Sequence, residues 1–150
     1  MWKPENYRFG LDLRGLGRFV MIMLPNLLWM AIPAPHDILR GGTLTPLLDH
    51  SVSVVQALML ASLCLLINRK AHPSVEQKSM LGICVSVMTY LFGWIFYYIG
   101  MTGLPVILIL AIAPCLSFLF YVFSRKNGPA LLFTLAFMTL HTLQAVLNYT

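Results

Sequence analysis

The chain has 150 residues, of which 59% are hydrophobic and 10% charged, with a formal net charge of +5. Ordinary soluble domains hold roughly 45–50% apolar and about 25% charged residues, so a water-soluble fold of this length could not cover so much apolar surface. The ten Lys and Arg residues sit in short clusters between apolar segments rather than along one face, which argues against a nucleic-acid partner and fits the anionic inner surface of a membrane.

Residues 1–18 carry Lys3, Arg8, Arg14 and Arg18 with Phe9, Leu11, Leu13 and Leu16 interleaved, the pattern of an amphipathic arm on the cytoplasmic membrane surface. A first span is expected over residues 19–34. The basic residues before it and Ala31 and Ala34 after it also occur in cleavable signals, but Pro35 follows the only suitable cleavage position, so the segment reads as retained. Pro25 and Asn26 near its middle predict a bend or local unwinding. Residues 35–48 hold two prolines, two glycines and two threonines, which is loop chemistry.

A second span follows over 47–68 and stops at Arg69 and Lys70. The polar, proline-containing stretch 71–78 reads as a loop, and a third span over 79–100 ends in Trp94, Phe96, Tyr97 and Tyr98, residues that settle at the headgroup boundary. Residues 101–104 allow only a hairpin. The fourth span covers 105–124, with Pro114 and Cys115 at mid-depth, and the fifth covers 129–148, where Pro129 suits a first helical turn. The expected fold is therefore all-α: one integral membrane domain, a polytopic transmembrane bundle of about five spans with short loops.

Alternate connections should differ in basic residues. One side holds Lys3, Arg8, Arg14, Arg18, Arg69, Lys70, Lys78, Arg125 and Lys126, and the other only Arg40. That asymmetry predicts a cytoplasmic N-terminus and an extracellular C-terminus. Two cytoplasmic turns share the form RKxxP, at Arg69–Pro73 and Arg125–Pro129. A duplicated hairpin is one reading, and the positive-inside rule combined with turn chemistry is the other.

Cys64, Cys84 and Cys115 fall in apolar stretches without metal-ligand spacing and read as buried thiols. All five acids, Glu5, Asp12, Asp37, Asp49 and Glu76, lie in loops or at span ends, which disfavours a carboxylate proton relay in the bilayer. Helical spacing groups the remaining polarity. Asp49, Ser53 and Gln56 share a face of the second span; Ser86, Tyr90, Gly93, Tyr97 and Gly100 share one of the third. Thr134, His141 and Asn148 share one of the fifth, with Gln144 beside His141. Gly82 and Ser86 form a small-xxx-small pair that lets a neighbouring helix approach.

Asn26, Gln56, Tyr97, His141 and Gln144 are the candidate ligand-binding residues, in an outward-facing pocket. Interhelical hydrogen bonding is the plainer account of the same residues. In the outer loop His36, Asp37, Asp49 and His50 bracket Arg40 and could bind zinc or activate a water, although their spacing matches no metal motif. An interrupted helix at Pro25–Asn26 is a further way to expose backbone to a ligand.

The stretches Met21–Trp29 (MIMLPNLLW) and Leu110–Phe120 (LAIAPCLSFLF) resemble segments of small multi-pass membrane proteins of Gram-positive bacteria. The resemblance implies a bacterial plasma membrane and brings with it no activity, substrate or site residue. The preferred function is a non-enzymatic multi-pass protein that binds, or helps transport, a small molecule or lipid from the outer side. It would need no cofactor and would work as a homo-oligomer or with a membrane partner. The alternatives are an accessory or immunity-type subunit docked on another membrane complex, and a metal-dependent membrane hydrolase.

Overall fold

A computed structural model describes residues 4–42, 44–71 and 73–149, the side chains of residues 4 and 73–78 excepted. Lys3 and His72 lie outside the described residues, as do the side chains of Glu76 and Lys78. Five α-helices carry the fold: α1 (Leu13–Ala31), α2 (Pro46–Leu65), α3 (Pro73–Tyr98), α4 (Leu104–Ser124) and α5 (Gly128–Tyr149). Two short strands, β1 (Tyr7–Phe9) and β2 (Leu66–Asn68), pair antiparallel with Arg8 opposite Ile67. Successive helices alternate in direction, so the two clusters Arg69–Lys70 and Arg125–Lys126 meet at one end of the bundle, together with the start of α1.

Four helices, Pro46–Leu65, Ser79–Tyr98 within α3, Leu104–Ser124 and Gly128–Tyr149, are long and apolar enough to cross a membrane. Helix α1 is not among them. Arg14 and Arg18 occupy its first two turns, and the apolar run from Phe19 to Ala31 rises only about 20 Å at about 1.5 Å per residue, against a hydrocarbon core of roughly 30 Å.

Helix α4 is the central element: 67% of its apolar window is buried inside the protein, against 22% to 33% for the other three spans. Its antiparallel partner α3 comes very close at Gly93, where an added Cβ would lie 2.7 Å from Ile109 Cγ2. No larger residue fits there. The outward face of α3, with Leu81, Val85, Phe92 and Ile95 exposed, is the surface expected to meet lipid.

The structure departs from the sequence expectations at four places along the backbone, and Cys84, expected to be buried, is exposed whereas Cys64 and Cys115 are buried. Within the N-terminal stretch, expected as an amphipathic arm, residues 7–9 form β1 and dock on β2. Residues 66–68, expected at the end of a span, are that strand partner. Residues 73–78, expected in a loop, are already helical, with Pro73 in the first turn where its missing N–H removes no hydrogen bond. Helix α1 continues through Pro25 without unwinding. There the Asn26 amide caps the Ile22 carbonyl at 3.4 Å, giving one carbonyl of that turn a second donor.

The basic end is organised by Asp12, which is only 7% exposed. It is the N-cap of α1 and accepts from Arg14 N at 3.1 Å and Gly15 N at 3.4 Å. The hydroxyl of Tyr121 donates to its Oδ2 at 2.6 Å, and Arg125 Nε pairs with the same oxygen at 3.3 Å. Gly15 allows this approach, since a Cβ there would lie 2.9 Å from Leu63 Cδ2. Asn127 ties in the end of α2 by donating to the carbonyls of Ser62 and Leu66.

The two RKxxP turns differ in construction. Lys126 adopts a left-handed φ of 49° in a turn closing α4, the only non-glycine residue to do so among those described, whereas Arg69 and Lys70 follow a strand.

Asp12→Ala should cost about 2–4 kcal/mol, because it removes the N-cap of α1 and leaves the buried Tyr121 hydroxyl without its acceptor. Reversible unfolding in mixed micelles measures this. A loss below about 1 kcal/mol, the scale of an exposed pair, would show that Asp12 does not organise this end.

Candidate functional site

The opposite end of the bundle is organised by a second carboxylate. The loop after α1 folds back so that Asp37 meets three donors. Trp29 Nε1 lies 2.9 Å from both its oxygens, Tyr97 Oη donates to Oδ1 at 2.9 Å, and Arg40 Nε pairs with Oδ2 at 2.9 Å. The guanidinium of Arg40 also reaches the carbonyls of Trp29 and Met30 and lies 5.0 Å over the Trp29 ring. Tyr97 in turn accepts from Leu39 N at 3.0 Å.

Burial works to raise the Asp37 carboxyl, but the hydrogen bonds from Trp29 and Tyr97, with the Arg40 charge, outweigh it and hold the group below its ordinary value. Asp37 therefore fastens the end of α1 to the end of α3.

Between these two fastened ends α1 packs loosely, and a cleft remains between it and the other helices. Its outer part, about 180 Å³, is bordered by Trp29, Trp94 and Tyr149. Its deeper part, about 290 Å³, is bordered by Phe19, Gln56, Met59 and Phe118. Asn26, Tyr90, Leu110, His141 and Gln144 border both, so polar residues stand at the junction of the two parts, and Ser53 and Gln56 carry polarity into the deeper one.

The polar groups at the junction form a directed chain that starts at Asp49 in the first turn of α2. Asp49 Oδ1 accepts from Gln144 Nε2 at 2.8 Å and Asn148 Nδ2 at 3.2 Å. Asn148 Oδ1 accepts from Leu44 N and Thr45 Oγ1, both at 3.0 Å, which locks the start of α2 onto the end of α5. The other end of the Gln144 amide, Oε1, lies 3.1 Å from His141 Nδ1. Phe137, one turn before His141, stacks on the imidazole with centroids 5.0 Å apart and planes at 9°.

Four of the five residues proposed from the sequence, Asn26, Gln56, His141 and Gln144, border one cleft. Tyr97 does not: its hydroxyl is engaged by Asp37 and Leu39, and its ring is fully buried. Tyr90 and Trp94 take its place on the cleft wall. Tyr90 was legible on the same helical face, while Trp94 lies one position beyond Gly93 on that face and its turn inward depends on the packing of α3 against Trp29.

The four loop residues weighed for a metal are dispersed. Asp37 is held by Trp29, Tyr97 and Arg40, and Asp49 by Gln144 and Asn148. His36 sits against Gly100, and His50 is exposed. No group of three or more His, Cys, Asp and Glu is placed to hold a metal ion among the described residues.

Comparison with known protein families, curated proteins and solved structures finds no match to this chain. The reading of the site rests on its own geometry.

The lowered value of Asp37 sets a sign for the acid response. A carboxylate held below its unfolded value of about 3.8 contributes stability throughout the range above that value and loses it as pH falls through the folded value. The wild-type protein should therefore lose stability below about pH 4 more steeply than Asp37→Asn, with Trp29 fluorescence reporting release of the loop. Parallel acid curves for the two proteins would contradict this.

Proposed function

We propose that the chain is a non-enzymatic multi-pass protein of a bacterial plasma membrane, and that the cleft between α1 and the other helices binds a small molecule or lipid entering from the outer side. One observation carries the reading: in a bundle whose spans are almost wholly apolar, Asn26 of α1, Gln56 of α2, and His141 and Gln144 of α5 converge on a single space. Polar side chains inside a membrane commonly serve as interhelical glue worth about 0.6 kcal/mol each. Gln144 serves in that way toward Asp49, but all four side chains also border an open space, which glue alone does not require.

On this reading α1 is the fifth crossing, with Arg14 and Arg18 extended toward the headgroups and Asp37, Trp29 and the mouth of the cleft on the outer side. Five helices are few for a self-sufficient carrier, so a second copy or a membrane partner completes any transport. The exposed apolar faces of α1 and α3 are available to it.

Two measurements in cells test the reading. A reporter active only outside the cytoplasm should work when fused after Thr150; activity after Lys70 or Lys126 instead would reverse the orientation. His141→Cys, in a background lacking Cys64, Cys84 and Cys115, should react with a membrane-impermeant thiol reagent added to intact cells. Complete protection in a folded, inserted variant would remove the outward cleft as a binding site.

A further inference from the structure

The hydrogen bonds around Gln144 determine which chemistry the cleft presents. An ionised carboxylate only accepts, so the end of the Gln144 amide facing Asp49 is its NH2 group, and Nε2 donates to Asp49 Oδ1 at 2.8 Å. The second donor to that oxygen, Asn148 Nδ2, is oriented in the same way, because its own Oδ1 accepts from Leu44 N and Thr45 Oγ1. Gln144 thus has no freedom to turn over.

Its Oε1 consequently faces His141 Nδ1 at 3.1 Å, and an amide oxygen only accepts, so Nδ1 carries a hydrogen. In the neutral imidazole the other nitrogen, Nε2, is then a bare lone pair. Stacking on Phe137 fixes the plane of the ring. Nε2 has no partner among the described residues and is not one of the sealed-off polar atoms. His141 borders both parts of the cleft.

We infer that the ligand of this cleft is a molecule with an apolar body and a hydrogen-bond donor, a hydroxyl or an N–H, which it gives to His141 Nε2. The inference rests on the cleft being a binding site and adds the class of ligand. Asp49 acts at a distance: through the Gln144 amide it sets which imidazole nitrogen holds the proton. Beyond the junction Met59, Pro114 and Phe118 offer apolar contact beside Ser53 and Gln56, which leaves a surface for a hydrocarbon portion. A molecule that can only accept, such as an ether or ester of the same shape, would set its oxygen against a lone pair.

The tautomer is read directly by nitrogen-15 spectra of histidine-labelled wild-type protein, with the His141 signals identified by their loss in His141→Phe. The expected result is a protonated Nδ1 and a pyridine-type Nε2. The opposite tautomer, or a ring protonated at both nitrogens, would overturn the inference.

Ligand class is read with a matched pair of brominated probes, 8-bromooctan-1-ol and its methyl ether, as quenchers of Trp29 and Trp94 in micelles of a Trp2→Phe variant. The alcohol should bind roughly five-fold more tightly than the ether, the worth of about one net hydrogen bond, and His141→Phe should abolish the difference. Saturable but equal quenching by both would leave the cleft as a binding site and refute the donor requirement. No saturable quenching by either would refute the cleft itself.

Discussion

Two carboxylates, one at each end of α1, determine how this bundle closes. Helix α1 is too short in its apolar part and too basic at its start to be held by apolar burial along its length, as α4 is. It is held instead at Asp12, which caps it and binds Tyr121 and Arg125 of α4 and the turn after it, and at Asp37, which draws Trp29, Tyr97 and Arg40 into one cluster. Each carboxylate has several donors, the condition under which a poorly solvated charge stabilises rather than disrupts. With its ends fixed and its middle loosely packed, α1 spans a cleft instead of filling it.

The consequences reach the candidate site. A cleft in an apolar bundle can stay dry and featureless, but here Asp49 directs a chain of hydrogen bonds from the mouth of the bundle to an imidazole at the junction of the cleft's two parts. Asp49 is therefore both a structural tie between α2 and α5, through Asn148, and the origin of the hydrogen-bond chain that reaches the cleft. The three described acids with a resolved carboxylate network, Asp12, Asp37 and Asp49, all lie at helix ends, where backbone donors and interfacial side chains are at hand. None stands at mid-depth, where its charge would be most costly.

Much of this was legible in the sequence. Long apolar runs punctuated by Arg-Lys pairs and prolines located the helices, because burial in lipid leaves few other solutions. The spacing of His141, Gln144 and Asn148, and of Asp49, Ser53 and Gln56, grouped on common helical faces the residues that line the cleft or form its hydrogen-bond chain. What stayed hidden depended on contacts distant in the chain. Asp12 looked like one more loop acid, although its place just before Leu13 was a capping signal, and its burial requires Tyr121, 109 positions away. Tyr97 shared the pocket face by periodicity, but the Asp37 loop folds over and claims it. The strand pairing of residues 7–9 with 66–68 has no periodic signature in three-residue strands, and the apolar Leu66 and Ile67 read naturally as the tail of a span.

We propose that α1, pinned at both ends, leaves a cleft between itself and α5 that a ligand fills. An experimental structure of the protein in lipid nanodiscs tests it most directly. The account predicts non-protein density between α1 and α5, touching His141 and Gln144, with Asp12 and Asp37 in the clusters described. A helix α1 collapsed onto α4 and α5, with side chains filling the space and density only around the outside of the bundle, would contradict it.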